Sequence, residues 1–192
     1  MRRRSLFILM ALAVFGAGFV SLIPVTPRLI WNATASLPLG LYVLQPFDAL
    51  EHGDLVAVAA PERNAGLILE RGYLGTDVPL LKRVAAVPGQ RVCRLGGAVS
   101  VDDQLLGYAM ETDSLGRPMP VWQGCRLLRQ GEIFLMNSDI RNSLDGRYFG
   151  VTPTRAVLGR LRPIWTWSRA VDASDPEIVA PELPPPTPEQ ER

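Results

Sequence analysis

The sequence predicts an all-β body behind one N-terminal transmembrane helix. Three observations carry that expectation. From Leu6 to Val25 the chain reads LFILMALAVFGAGFVSLIPV, and no charge falls between Ser5 and Pro27. From about Pro27 to Ala170 it becomes a series of short apolar-rich runs broken by Gly, Pro and Asp. After the first segment, no stretch has helical periodicity long enough for a soluble helix. At 192 residues the chain has room for one domain with appendages.

The elements follow in order. About 20 helical residues at ~1.5 Å each cover roughly 30 Å, the thickness of a hydrocarbon core. Arg2, Arg3 and Arg4 precede the run, and this basic flank favours an N-terminus in the cytoplasm with the rest outside. The run is long for the apolar part of a signal peptide, and no clear A-x-A site ends it. Both points favour an uncleaved signal-anchor, expected at 1–26, over a cleaved signal peptide. The body, expected at 27–170, carries DLVAVAA (54–60), LLKRVAAV (80–87), EIFLMN (132–137) and AVLGRLRPIW (156–165), all of strand length with turn signals between them. GAVSVDDQLLG (97–107) reads as a hairpin that turns at Asp102-Asp103. Residues 171–192 hold six Pro and six acidic residues. They have too little apolar surface to offset ordering entropy and are expected to be a disordered tail, with a docking peptide as the alternative.

Composition narrows the function. Charged residues make up 20%, apolar ones 47%, and the net charge is +1. A nucleic-acid partner would call for a basic face, so none is expected. The two cysteines, Cys93 and Cys125, would face an oxidising compartment beyond the anchor. One disulfide is favoured over two buried free thiols, because nothing else in the sequence uses them. One His and two widely spaced Cys make no metal site, and no cofactor is expected.

Two kinds of serine chemistry are open. A Ser-His-carboxylate triad would have to use His52, the one His, which reads as a surface residue in a turn before a strand. The second route pairs a Ser nucleophile with a neutral Lys base. Lys82 is the one lysine, and it sits inside the apolar run PLLKRVAAVPG. Burial there would lower its pKa, because desolvation penalises the charged form. Lys82 and Arg83 point to opposite faces of a strand, and arginine cannot give up its proton. Taken alone, Lys82 reads first as a solvent-facing lysine on an edge strand. Two further segments complete an ordered set: WNATASLPLGLY (31–42) before Lys82 and MNSDIRNSLDGRYFG (136–150) after it.

This set resembles the type I signal peptidase superfamily of Ser/Lys peptidases, and within it the conjugal-transfer branch, the TraF-type peptidases that mature conjugative pilins. The resemblance rests on N-x-T-x-S-x-P-x-G-L-Y at 32–42, G-D-L-V at 53–56, L-K-R-V-x-x-V-P-G at 81–89 and N-S-L-D-G-R-Y-F-G at 142–150, with GRPMPVWQGC (116–125) and GEIFLMN (131–137) between them. It implies a signal-peptidase-like body of folded, barrel-like sheets. It implies Ser36 as nucleophile and Lys82 as general base. Thr34 would join the Ser36 backbone N–H in an oxyanion hole, where such donors contribute about 2.7–4 kcal/mol each. Ser143 would orient the lysine ammonium, and Asp145 and Arg147 would form a structural pair. The departures are Leu37 where signal peptidases usually have Met, N-S-D-I-R-N-S at 137–143, and Gly146 in place of a common serine.

The resemblance further implies a single-pass enzyme of the bacterial inner membrane with its catalytic domain in the periplasm. Its partners would be membrane lipid and a membrane-inserted pilin precursor. The acyl-enzyme on Ser36 could be released by water or by the precursor's own amine, giving a cyclic pilin. The alternatives are a general type I signal peptidase (leader peptidase) and a non-catalytic anchored β scaffold of a conjugation or secretion complex.

Overall fold

The computed structural model describes residues 2–21, 29–34, 36–75 and 78–167. Helix α1 (Arg2–Ser21) covers the N-terminal apolar run as far as Ser21. Among the described residues no helix is long and apolar enough to cross a membrane. The end of the apolar run, in 22–28, and the acidic Pro-rich segment at 171–192 lie outside the described residues.

The rest is predominantly β. In chain order come β1 (Leu29–Asn32), β2 (Leu39–Gln45), β3 (Leu55–Val58), helix α2 (Glu62–Glu70), β4 (Leu80–Ala86), β5 (Arg91–Leu95), β6 (Ala98–Val101), β7 (Gln104–Tyr108), β8 (Gly124–Leu127), β9 (Glu132–Leu135), the single turn α3 (Gly146–Phe149), β10 (Thr152–Pro153) and β11 (Val157–Trp167). They form a seven-stranded sheet ordered β1-β2-β11-β3-β4-β9-β10 and a four-stranded sheet ordered β7-β6-β5-β8. The pairings are antiparallel.

The large sheet is covered on both faces, which is why β3 and β4 read as nearly continuous apolar runs. Val56, Val58, Leu80 and Val84 pack with Ile133, Leu135 and Val157. The alternate residues Ala57 and Leu81 pack with Leu37, Tyr42 and Leu161. Strand parity puts Lys82 on the face of Leu80 and Val84. The small sheet adds Val92, Val99 and Val101 to a core shared with Ala85, Ala86, Phe134 and Met136. Its hairpin turns at Asp102 and Asp103, whose φ values of 48° and 66° are the left-handed pair of a type I′ turn. Cys93 on β5 lies opposite Cys125 on β8, and a disulfide joins them. The next residue, Arg94, is buried and donates to the carbonyls of Arg147 at 2.5 Å and Pro120 at 3.3 Å. It thereby ties the small sheet to the segment that carries Ser143 and Asp145.

Helix α2 corrects the expectation that no soluble helix follows the anchor. It has little more than two turns, and of its described side chains only Ile68 is buried. Nine residues fall below the window in which periodicity separates a helix from a strand-length run.

Candidate active site

Ser36 lies in the loop between β1 and β2, and the last residue of β1 builds that loop. Asn32 is 2% exposed. Its Nδ2 donates to the carbonyls of Thr34, Leu37 and Pro38, each at 3.0 Å. Its Oδ1 accepts the Thr34 backbone N–H at 3.1 Å and the Thr34 hydroxyl at 2.8 Å. The Tyr42 hydroxyl closes the far side by donating to the Pro38 carbonyl at 2.7 Å. Leu37 is buried in the same cluster as Leu81, so the position where signal peptidases usually have Met serves here as an apolar peg.

Thr34 Oγ1 and Ser36 Oγ are 3.0 Å apart. A hydroxyl has one proton to give, and Thr34 gives its proton to Asn32. Ser36 is therefore the donor of the pair and Thr34 the acceptor. For Thr34 to donate to an oxyanion it must first turn its proton away from Asn32, which offsets part of its contribution. Thr34→Val is accordingly expected to lower turnover by about 100-fold, the low end of the range for an oxyanion donor. Steady-state kinetics beside Thr34→Ser, which keeps a hydroxyl, checks this.

Lys82 comes from the middle of β4 and is 3% exposed. Val58, Leu80, Leu135 and Phe149 wall the crevice around it. Burial pulls its ammonium down from the ordinary 10.5 to about 8; Asp145 acts to raise it and Arg147 to lower it further. Its Nζ donates to Ser143 Oγ at 2.9 Å. The neighbour, Arg83, points the other way, and its Nη1 donates to the Gly53 carbonyl at 2.9 Å.

Ser143 is held in turn by Asp145 and Arg147. Their side chains are 0% and 1% exposed and form a two-point ion pair, Nε to Oδ1 and Nη2 to Oδ2, both at 2.9 Å. Arg147 also donates to the carbonyls of Ile140 at 2.6 Å, Arg141 at 2.9 Å and Ser143 at 3.2 Å. One guanidinium thus gathers the whole turn before Asp145. Gly146, between the two, has no room for a side chain: a Cβ there would lie 2.6 Å from both the Leu135 carbonyl oxygen and the Phe134 ring. Backbone is the obstacle, so relief requires moving a strand. Gly146→Ser, which restores the commoner residue, is expected to destabilise the fold by about 1–3 kcal/mol, read as a lower denaturation midpoint at unchanged slope.

The structure thus gathers Lys82, Ser143, Asp145 and Arg147 in one cluster and Thr34 and Ser36 in a second. Ser36 and Lys82 rest on separate hydroxyl partners, Thr34 and Ser143. Cys93 and Cys125 sit on the small sheet, and His52 is exposed in the turn before β3. Among the described residues no cluster of His, Cys, Asp and Glu gathers to hold a metal. Two residues of the site had no role assigned from sequence, Asn32 and Asn137. Asn32 stands at the head of the N-x-T-x-S motif, but a buried asparagine with five hydrogen bonds and an exposed turn asparagine look alike in one dimension.

Known proteins with similar sequences can be set beside this geometry. The family model described as signal peptidase, peptidase S26, matches residues 1–167. The conjugal transfer protein TraF of Agrobacterium fabrum is 36% identical over 149 residues, 71% of this chain and 81% of that one. The plasmid transfer protein TraF of Escherichia coli is 33% identical over 148 residues, 71% of this chain and 82% of that one. A crystal structure of a signal peptidase I from Enterococcus faecalis V583 aligns at a TM-score of 0.36 and 19% identity, covering 60% of this chain and 98% of that one.

Proposed function

We propose that this chain, which belongs to the signal peptidase S26 family, is a membrane-anchored Ser/Lys endopeptidase that processes a conjugative pilin precursor. Membership implies a serine peptidase. The observation that carries the finer reading is the state of Lys82: a buried lysine held by the Ser143 hydroxyl and lowered to about 8, where an exposed lysine would stay charged.

In this mechanism Lys82 takes the Ser36 proton as Ser36 Oγ attacks the scissile carbonyl. It then passes that proton to the leaving amine, and the acyl-enzyme forms as the peptide bond breaks. The Ser36 backbone N–H and the reoriented Thr34 hydroxyl receive the oxyanion. Water, or an amine of the precursor held nearby, then releases the ester. The substrate binds as an added strand.

The inner-membrane anchor and periplasmic location belong to the same proposal. They are supported by Arg2, Arg3 and Arg4 ahead of the apolar run. They are also supported by an exposed aromatic cluster beside the nucleophile loop, in which the Trp31 and Trp167 rings lie 5.7 Å apart and those of Trp165 and Trp167 5.4 Å apart. Tryptophans of this kind suit the membrane–water interface. The names of the similar TraF proteins support a role in conjugal transfer over general secretion.

The test is intact mass. The full chain, as wild type and as Ser36→Ala, is co-expressed with the pilin precursor of its own transfer region. Trimming that depends on Ser36 is expected. Loss of one further water from the trimmed pilin would mark cyclisation; trimming without it would mark hydrolysis; equal processing by Ser36→Ala would remove the peptidase reading. The pH dependence is a second check. Below about 8 the neutral fraction of Lys82 grows tenfold per pH unit, so turnover is expected to climb about tenfold per unit and then level off.

A further inference from the structure

Asn137 stands where the three segments of the site meet. It is 4% exposed. Its Nδ2 donates to the Ser36 carbonyl at 2.5 Å and the Leu81 carbonyl at 3.4 Å, and its Oδ1 accepts the Arg83 N–H at 2.8 Å. Its backbone N–H donates to Asp145 Oδ2 at 3.1 Å, and its carbonyl accepts Arg147 Nη2 at 3.4 Å. The Arg83 N–H can only donate, which fixes the amide with its oxygen toward Arg83 and its nitrogen toward Ser36.

Leu81 and Arg83 are the two residues that flank Lys82. In a sheet, their outward carbonyl and N–H would bond the next strand. The main-chain ladder with β9 covers Val84 and Ala86 and ends where the Met136 N–H donates to the Arg83 carbonyl at 3.0 Å. The Asn137 side chain takes the place of the missing strand, offering one donor and one acceptor as a peptide group would. It then extends to Ser36, 101 positions away in the chain. This hydrogen bond joins the Ser36 loop to the elements that carry Lys82 and Ser143. The Leu37 peg supplies the apolar part of the attachment.

We infer that Asn137 is a positioning residue: its amide sets the distance and register between Ser36 and Lys82. The inference rests on the Ser/Lys reading. Asn137 touches no reacting atom. It acts through the backbone of Ser36 on one side and the strand of Lys82 on the other, so its loss leaves both groups present but misaligned. Misplacement of about 1 Å in such a site costs on the order of 100-fold in rate.

The test compares the full-length wild type with Asn137→Ala and with Asn137→Asp, which keeps the shape and the acceptor for Arg83 but not the donor to Ser36. Rates on the pilin precursor are taken on each protein's own high-pH plateau, where Lys82 is neutral and any shift caused by the new carboxylate has no effect. Hydrogen–deuterium exchange of the loop 33–39 is followed alongside, without substrate. Expected for Asn137→Asp are a plateau kcat down by about 100-fold, a KM within about threefold of wild type, and loop exchange faster by about tenfold with β4 unchanged. Unchanged loop exchange would overturn the tether, whatever the activity. Faster exchange with an unchanged plateau kcat would overturn its catalytic consequence. A loss spread equally over loop, β4 and melting temperature would mean a merely structural asparagine. A wild type no better than Ser36→Ala would instead remove the peptidase reading, and the exchange arm would still decide whether Asn137 holds the loop.

Discussion

Lys82→Arg is expected to lower precursor processing by about 10⁴-fold on the wild type's high-pH plateau and to stay inactive from pH 6 to 10, a loss comparable to removing one member of a hydrolase triad. Arginine keeps the charge, the length and the strand position, and it can still donate to Ser143. It cannot lose a proton in this range. Lys82→Met is the informative partner, because it should be equally inactive but more stable than wild type. The native lysine titrates near 8 and the unfolded one near 10.5. Below 8 both states hold the proton, and the native state bears the full cost of a buried charge. Between 8 and 10.5 only the unfolded chain holds it, so this cost fades and wild-type stability rises with pH across that window. Removing the charge should therefore stabilise most below pH 8. The gain is on the order of 2 kcal/mol once the lost bond to Ser143 is subtracted. Denaturant midpoints at pH 7 and pH 10 measure it. Normal processing by Lys82→Arg would take Lys82 out of the mechanism. A Lys82→Met protein less stable than wild type at pH 7 would mean that the lysine is held for the fold.

Asp145→Ala is expected to cost about 3–5 kcal/mol, enough to unfold most of a marginal domain. Arg147 would remain as a buried guanidinium with its carboxylate gone. The backbone N–H groups of Asn137 and Arg147 would lose their acceptor at the same time. The double variant Asp145→Leu with Arg147→Met should recover much of the stability, since a well-packed apolar pair avoids the desolvation of two charges. It should not recover activity, because the turn that holds Ser143 depends on the carbonyl contacts of Arg147. Thermal unfolding separates the two effects from the activity assay. A stable Asp145→Ala protein would show that the pair is not what holds the turn together.

The unequal legibility of these residues has a physical basis. Amino-acid order alone determined the helical N-terminal run, the β texture of the body, the Asp102-Asp103 turn and the chemical candidates. Each of these is a local property: hydrophobic periodicity, turn propensity, or the rarity of a lysine inside an apolar strand. Helix α2 escaped because little more than two turns is too short for periodicity to tell a helix from a strand-length run. Folding alone decided what those candidates meet. Lys82 taken alone reads as an edge-strand lysine until β3 pairs beside it, the Asn137 side chain covers its other flank and burial lowers its pKa. Gly146 reads only as a departure from a common serine until the Leu135 carbonyl is found close to where its Cβ would be. The direction of the Ser36 proton depends on Asn32, and the attachment of Ser36 to the strand of Lys82 depends on Asn137, a residue 101 positions further along the chain. Hydrogen bonds and desolvation act over a few ångströms in space, whereas sequence patterns record neighbours along the chain. The chemistry available to this protein was therefore written in its residues, and only the fold decided which of them could act together.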